Sequence, residues 1–237
     1  MGKIASIVSV TAGLVLVGAS GARAQAPTRK AFLDVNVGVQ APSQTLETNT
    51  TLSLFGETAS VAAAQQIAVA PILDARVGYR VAPSFAVAVA VSGRKDESDA
   101  VAIASVPSPI LFGSPTITNL TATSLTRREL GYHFQVIWFL PSWNKIAFSV
   151  YAGPSLIHLQ QAVASATVSG QSLQVSSTNE TTNALGGNGG IDATYLVSDR
   201  FGVGAFARYA GGSANLTSTH GVRVGGFQGG GGIRVRF

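Results

Sequence analysis

Apolar and polar side chains alternate along eight segments of the chain. In the first segment, residues 32–40, Val35 and Val37 share one face of an extended chain, and Asp34 and Asn36 share the other. Because successive side chains of a β-strand point to opposite faces, this period of two predicts strands with one apolar and one polar face. The segments lie near residues 32–40, 67–81, 85–92, 129–140, 146–159, 183–197, 201–211 and 227–237.

The connections between these strands differ in length in a regular order. Short turns on the side of both termini alternate with long connections on the other side, an arrangement typical of outer-membrane barrels. We therefore expect an all-β fold, namely an eight-stranded antiparallel transmembrane up-and-down β-barrel. The long connections are rich in Ser, Thr, Gly, Ala and Asn, and we interpret them as extracellular loops near 41–65, 93–125, 160–182 and 212–221.

Aromatic residues gather at the strand ends that adjoin the short turns. Aromatic rings prefer the membrane interface, where an apolar body meets lipid and a polar edge meets water. The alternative is a soluble sandwich of two sheets with these rings in its core, but a sandwich does not require them at strand ends, and loops this long are uncommon in compact soluble domains. The predicted girdle consists of Tyr79, Phe85, Trp138, Phe148, Tyr195 and Phe201.

The first 24 residues have the three-part layout of a signal peptide. Lys3 precedes an apolar stretch, and small residues end at Ala24. An uncleaved membrane anchor is the alternative, but Ser6 and Ser9 interrupt the apolar stretch, which is shorter than the roughly 20 residues that a helical span needs. We therefore expect a signal peptide over 1–24 and an outer-membrane β-barrel domain over 25–237.

Charge and cysteine content exclude several other classes of protein. Only 11% of the residues are charged, against about 25% in an average soluble domain. Without Lys3 and Arg23, 14 of the 16 basic residues remain against 11 acidic ones, with no basic stripe, so no nucleic-acid partner is expected. The chain has no cysteine, which removes disulfides and thiolate metal sites.

The polar faces of the predicted strands carry charged residues that would point into the barrel. An isolated buried charge is unfavourable, so these groups are expected to pair across the lumen. A narrow or gated conduit is the alternative, although eight strands enclose a space that side chains approximately fill. The predicted network comprises Asp34, Asp74, Arg76, Arg80, Glu129, His133, Asp192, Arg208, Arg234 and Arg236.

The last residues, 231–237, alternate glycine, apolar and basic residues and end in phenylalanine. This run resembles the closing strand of the small OmpA-like and OmpX-like outer-membrane barrels. The resemblance implies an outer-membrane location, membrane lipid as a partner, and recognition of Phe237, with Val235 and Ile233, by the barrel-assembly machinery. OmpA itself continues into a peptidoglycan-binding domain, whereas this chain stops at Phe237, so cell-wall tethering is not implied.

No local motif predicts catalysis or a cofactor. Lipid A deacylase barrels carry a serine two positions after the catalytic histidine, and none of His133, His158 and His220 has one. The glycine clusters near 186–190 and 229–232 lack the strand, loop and helix order of a phosphate-binding loop. We therefore expect a non-enzymatic barrel without cofactor or metal, with a structural or surface-interaction role and an unidentified extracellular partner. A narrow porin-like conduit and a lipid-modifying enzyme remain as alternatives.

Overall fold

The computed structural model describes residues 29–42, 46–65, 67–108, 110–169, 172–217 and 221–237. The predicted signal peptide, residues 1–24, lies outside the described residues. Those residues form no helix long and apolar enough to cross a membrane. They form ten strands: β1 (Ala31–Pro42), β2 (Leu46–Leu54), β3 (Glu57–Gln65), β4 (Ala70–Ala82), β5 (Phe85–Val106), β6 (Thr116–Phe139), β7 (Ile146–Ser169), β8 (Ser172–Leu196), β9 (Phe201–Ala214) and β10 (Val222–Arg236).

Eight of the ten strands form a closed antiparallel ring. The order around the ring is β1, β4, β5, β6, β7, β8, β9 and β10, and β10 pairs again with β1. The closing ladder runs from the pair Phe32 and Arg236 to the pair Pro42 and Gly226. A closed ring leaves no free edge in the wall. The predicted eight-stranded barrel is therefore confirmed, and the two-sheet sandwich is excluded.

Three of the four predicted long loops are mostly paired strands. β2 and β3 form a hairpin within 41–65, and its second strand pairs with the upper part of β5. The interpretation of 93–125 and 160–182 as loops is wrong in the same way, because β5 pairs with β6 up to Val106 and β7 with β8 up to Ser169. The fourth connection shortens to 215–221. Threonine and valine favour strands once a neighbouring strand accepts their backbone hydrogen bonds.

The outer wall of the ring is an apolar belt. On β5 the outward residues from Phe85 to Val91 are exposed and apolar, and the next outward charge is Lys95, which pairs in register with Arg128. A belt of about nine residues per strand matches the length that a tilted strand needs to cross a bilayer. All six predicted girdle residues are exposed at the short-turn end of this belt, where Phe85 stacks on Trp138 with ring centroids 6.4 Å apart.

Glycines bring β1 and β10 into close contact at the closing ladder. A Cβ atom built on Gly230 would lie 2.2 Å from the carbonyl oxygen of Val37, and one built on Gly38 would lie 2.3 Å from that of Gly229. Both would collide with backbone, which cannot rotate away as a side chain can. Gly229 is different, because its nearest contact would be the carbonyl oxygen of Phe206 at 3.7 Å.

We predict that Gly230→Ala destabilises the barrel and that Gly229→Ala does not. The first substitution forces the closing strands apart and should lower the free energy of unfolding by about 1–3 kcal/mol. The second meets only ordinary contact and should stay within about 0.5 kcal/mol. Urea unfolding of the refolded chain, together with gel mobility before and after boiling, measures both. Equal destabilisation by the two variants would contradict the close approach at Gly230.

Candidate functional site

The lower half of the barrel interior holds three carboxylates and three guanidiniums. Arg76 Nη2 lies 2.6 Å from Asp34 Oδ2, Arg234 Nη2 lies 2.6 Å from Asp192 Oδ2, and Arg208 Nη2 lies 2.9 Å from Asp74 Oδ2. Arg76 also reaches Asp192 at 3.3 Å, which joins two of the pairs. All six side chains are buried, so their charges balance one another out of contact with water. We call these six residues the lower charge network.

A second buried cluster, the upper charge cluster, lies nearer the long hairpins and consists of Arg94, Asp96, Arg127 and Glu129. Arg127 Nε lies 2.6 Å from Glu129 Oε1, and Arg94 Nη2 lies 2.9 Å from Asp96 Oδ1. This cluster is also neutral, with two charges of each sign. Sequence reasoning found only Glu129, because Arg94 and Asp96 fell within a predicted loop. The sequence does contain a signal for these two residues, because they continue the alternating inward-facing positions of β5 after Ser92.

Two glutamines connect the charged groups of the two halves. Arg208 Nε donates to Gln228 Oε1 at 2.6 Å, and Gln228 Nε2 donates to Gln40 Oε1 at 2.7 Å. Gln40 Nε2 then donates to Glu129 Oε2 at 2.8 Å. A continuous chain of buried hydrogen bonds thus runs from the lower charge network to the upper charge cluster. Such a chain fixes the rotamers of long side chains that would otherwise be mobile.

His133 lies in an uncharged layer on the opposite wall. Its Nε2 is 2.8 Å from Ser92 Oγ, and its Nδ1 is 2.8 Å from Ser155 Oγ. Asn188 donates to the same Ser155 hydroxyl at 2.9 Å. The pairing of serine with histidine is the start of a nucleophilic site, but these side chains are buried inside the wall and the ring contacts hydroxyls on both sides. The layer therefore satisfies buried polar groups rather than presenting a nucleophile.

In the parts of the chain that the structure describes, the remaining groups that could carry chemistry are not brought together. His158 is hydrogen-bonded to Asn183 on the outer wall, with 2.8 Å between Nδ1 and Oδ1, and His220 lies outside the described residues. Within the described ranges there is no group of three His, Cys, Asp or Glu residues placed to hold a metal ion.

Apolar side chains cover the interior at its upper end. Small cavities of about 30 and 10 Å³ remain, the first at the short-turn mouth beside the lower charge network and the second beside the upper charge cluster. A single water needs roughly 10–15 Å³, so these cavities hold a few water molecules at most. Beside the two clusters the interior is therefore closely packed. The upper apolar cover consists of Ile157, Leu159, Val163, Ala184, Ala214, Leu216, Val222 and Val224.

Arg80 and Arg236, like His133, lie outside both clusters; these two arginines of the predicted lumen network are at the short-turn mouth of the barrel. The guanidinium carbon of Arg80 sits 3.6 Å above the centroid of the Phe139 ring, and Arg80 donates to the carbonyl oxygen of Pro83 at 3.0 Å. Arg236 is half-buried beside it. The ion pairs found among the described residues include neither arginine.

The predicted assembly residues lie on the closing strand or directly after it. Ile233 and Val235 belong to β10, opposite Val35 and Leu33 of β1. Phe237 follows the strand, and its backbone N–H donates to the carbonyl oxygen of Ala31 at 2.8 Å. The Ile233 and Phe237 side chains are exposed on the outer wall, while Val235 is half-buried.

The connection between β5 and β6 carries three consecutive exposed apolar residues, Ile110, Leu111 and Phe112, which we call the apolar tip. The tip is ordered by hydrogen bonds, since Ser108 Oγ accepts from the backbone N–H of Leu111 at 3.1 Å. Glu57 Oε1 accepts from the backbone N–H of Gly113 at 2.7 Å, which ties the β2–β3 hairpin to it. The tip lies near the middle of residues 100–126, a stretch that contains no charged residue.

No protein-family model matches the sequence, and no curated protein sequence matches it. Among solved structures, the outer membrane protein OprG from Pseudomonas aeruginosa aligns with 88% of this chain and 96% of its own, at a TM-score of 0.50 and 8% identity. Neisserial surface protein A aligns with 87% of this chain and 97% of its own, at a TM-score of 0.46 and 16% identity. The outer membrane protease OmpT from Escherichia coli aligns with 89% of this chain and 97% of its own, at a TM-score of 0.48 and 9% identity. The likeness to OprG, taken with the closed ring, gives this chain the fold of an outer-membrane β-barrel.

We predict strong coupling between Asp192 and Arg234. Asp192→Asn alone leaves Arg234 and Arg76 short of counter-charge and should destabilise the barrel by about 3–5 kcal/mol, and Arg234→Gln should act similarly. The double variant should lose clearly less than the sum, because it removes both charges of the pair. Urea unfolding in detergent measures this cycle.

The exposed pair Lys95 and Glu97, 2.7 Å apart, is the matched control. Lys95→Gln should change the stability by at most about 1 kcal/mol. Additive effects of Asp192→Asn and Arg234→Gln would contradict the role of the lower charge network.

Proposed function

We propose that this chain is an outer-membrane barrel that does not conduct solutes and that acts at the cell surface through its long hairpins. The observation that carries the proposal is the contrast between a barrel interior filled by neutral charge clusters and strands that continue far beyond the apolar belt. In this proposal membrane lipid covers the belt, and the barrel-assembly machinery recognises the strand that ends at Phe237.

The packed interior supports a role other than transport. Two neutral clusters are joined by buried glutamines and covered by an apolar layer, and the cavities beside them hold only a few water molecules. Opening a path would require breaking several buried ion pairs at once, each of which is strongly unfavourable to break singly. The interior therefore fits a rigid support better than a pore.

The length of the hairpins supports a surface-interaction role. β5, β6, β7 and β8 have 22, 24, 24 and 25 residues, whereas crossing a bilayer needs only about 9–11 per strand. Roughly a dozen residues of each strand thus lie beyond the belt, which is about 40 Å along the strand at 3.3 Å per residue. Most of their described outward residues are uncharged.

The apolar tip supports an apolar contact for these hairpins. Ile110 and Phe112 are 88% and 83% exposed, although burying either side chain would stabilise the protein by roughly 1.5–3 kcal/mol. A contiguous exposed apolar patch commonly marks an interaction site. With no charge in residues 100–126, the contact would depend on apolar burial and hydrogen bonds rather than on ion pairs.

We predict no stable single-channel conductance from the refolded chain in planar bilayers. Gel mobility before and after boiling confirms that the sample is folded. The double variant Asp192→Asn, Arg234→Gln, which loosens the lower charge network, serves as the comparison. Discrete, reproducible openings of the wild-type chain would overturn the non-conducting assignment in favour of a narrow conduit.

We predict that the apolar tip governs how cells displaying the protein partition into an apolar phase. Replacing Ile110, Leu111 and Phe112 together by serine should lower adherence of the cells to hexadecane at least about twofold, because three exposed apolar side chains are lost. The control variant carries Thr116→Ser, Thr118→Ser and Asn119→Ser in exposed positions of the same hairpin. Unchanged adherence of the serine tip variant, at equal surface amounts, would count against the tip as a contact site.

A further inference from the structure

The short-turn mouth of the barrel contains a small cavity with more arginine than carboxylate around it. The cavity measures about 30 Å³ and is lined by Arg29, Arg80 and Arg236, together with groups of the lower charge network. We propose that this mouth binds a small tetrahedral oxyanion, a phosphate group, between the three arginines. The proposal depends on the folded barrel and is independent of the hairpins and of their partner.

Within the described part of the chain, the five arginines that line the cavity outnumber its two carboxylates. Asp34 and Asp192, the carboxylates that line it, already contact Arg76 and Arg234 at 2.6 Å. Within the ion-pair distance of 4.0 Å, the described carboxylates have no contact with Arg80 or Arg236. Arg236 adds an unfavourable like-charge interaction at Arg80, although Asp34 and Asp192 attract Arg236. An anion placed between the two arginines would relieve that repulsion.

Contacts within the protein position the guanidinium of Arg80 and the backbone of Arg236. The ring of Phe139 supports Arg80 from below, and the carbonyl oxygen of Pro83 accepts from its Nη1. Arg236 occupies the last position of the closing ladder, opposite Phe32, and its backbone N–H donates to the carbonyl oxygen of Arg200 at 2.8 Å. Arg29 Nη1 approaches the carbonyl oxygen of Arg236 at 3.5 Å. An ordered guanidinium such as that of Arg80 loses little freedom when it binds an oxyanion.

The lining and size of the cavity select the class of ligand. Phe32 and Phe139 meet edge to face with centroids 6.3 Å apart and form an apolar floor that excludes bulk water. Planar guanidiniums bind phosphate oxygens in pairs of hydrogen bonds, and the hydroxyls of Ser149 and Thr194 line the same space. A cavity of about 30 Å³ is too small for a ligand as large as a nucleotide, so we restrict the proposal to a single small oxyanion.

The test is calorimetric titration of inorganic phosphate into the full folded chain in detergent, with chloride as the background anion. We expect saturable binding of one phosphate per chain. Arg80→Gln and Arg236→Gln should each weaken it about tenfold or more, since each removes a charge-assisted contact. Arg80→Lys keeps the charge but loses the planar guanidinium. Its affinity for phosphate should lie between those of the two glutamine variants and that of the wild type.

Arg200→Gln is the matched control, because Arg200 is an exposed arginine at the same end of the barrel that does not line the cavity. It should bind phosphate within about twofold of the wild type. Absence of saturable binding, or an equal loss in Arg200→Gln, would overturn the site and indicate only diffuse attraction to a basic rim. Gel mobility before and after boiling checks that every variant is folded.

A second arm identifies the source of the phosphate group. The titration is repeated with the chain in vesicles of phosphatidylglycerol or of phosphatidylcholine. Loss of the phosphate signal only in phosphatidylglycerol would support occupation by a lipid headgroup at the inner rim. Retention of the signal in both would support a free phosphate from the solvent.

Discussion

A lipid bilayer offers no hydrogen-bond partners to a polypeptide backbone, so every strand that crosses it needs a neighbour on both sides. This constraint decides the architecture, because it requires the first strand to meet the last. The glycines at the β1–β10 ladder are the local consequence. Gly38 and Gly230 allow the two backbones to approach where any Cβ would collide with a carbonyl group. With the ring closed, strand length is free to vary above the membrane, and the hairpins extend there as paired strands.

Closing the ring also creates an interior that must be filled. Eight strands leave space for side chains but little for water, so the charged groups on the inner wall need partners within reach. The chain meets this requirement with two separately neutral groups, three pairs below and two above, joined through Gln228 and Gln40. Charge neutrality within each cluster explains why the described interior is packed. The excess arginines lie at the mouth, where solvent and ligands can reach them.

The sequence predicted the faces of the strands well and the partners poorly. Alternation around Asp34 and Asn36 identifies the inward face, because a one-residue shift would turn every side chain to the wrong side. Which carboxylate meets Arg76 depends on the diameter and tilt of the ring, which local patterns do not encode. Arg94 and Asp96 were missed since a stretch rich in Ser, Thr and Ala was interpreted as a loop. Arg80 and Arg236 share the inward face but lie at its end, a distinction set by the height of each strand in the barrel.

The contact between Arg234 and Asn36 joins residues 198 positions apart in the chain. Neighbouring strands can pair as hairpins early, but the barrel wall cannot close until β10, the last strand, is available to pair with β1. A partly exported chain would therefore expose two unsatisfied borders at once, each able to capture a strand from another molecule. The chain is therefore most prone to aggregate in the interval before the first and last strands have paired.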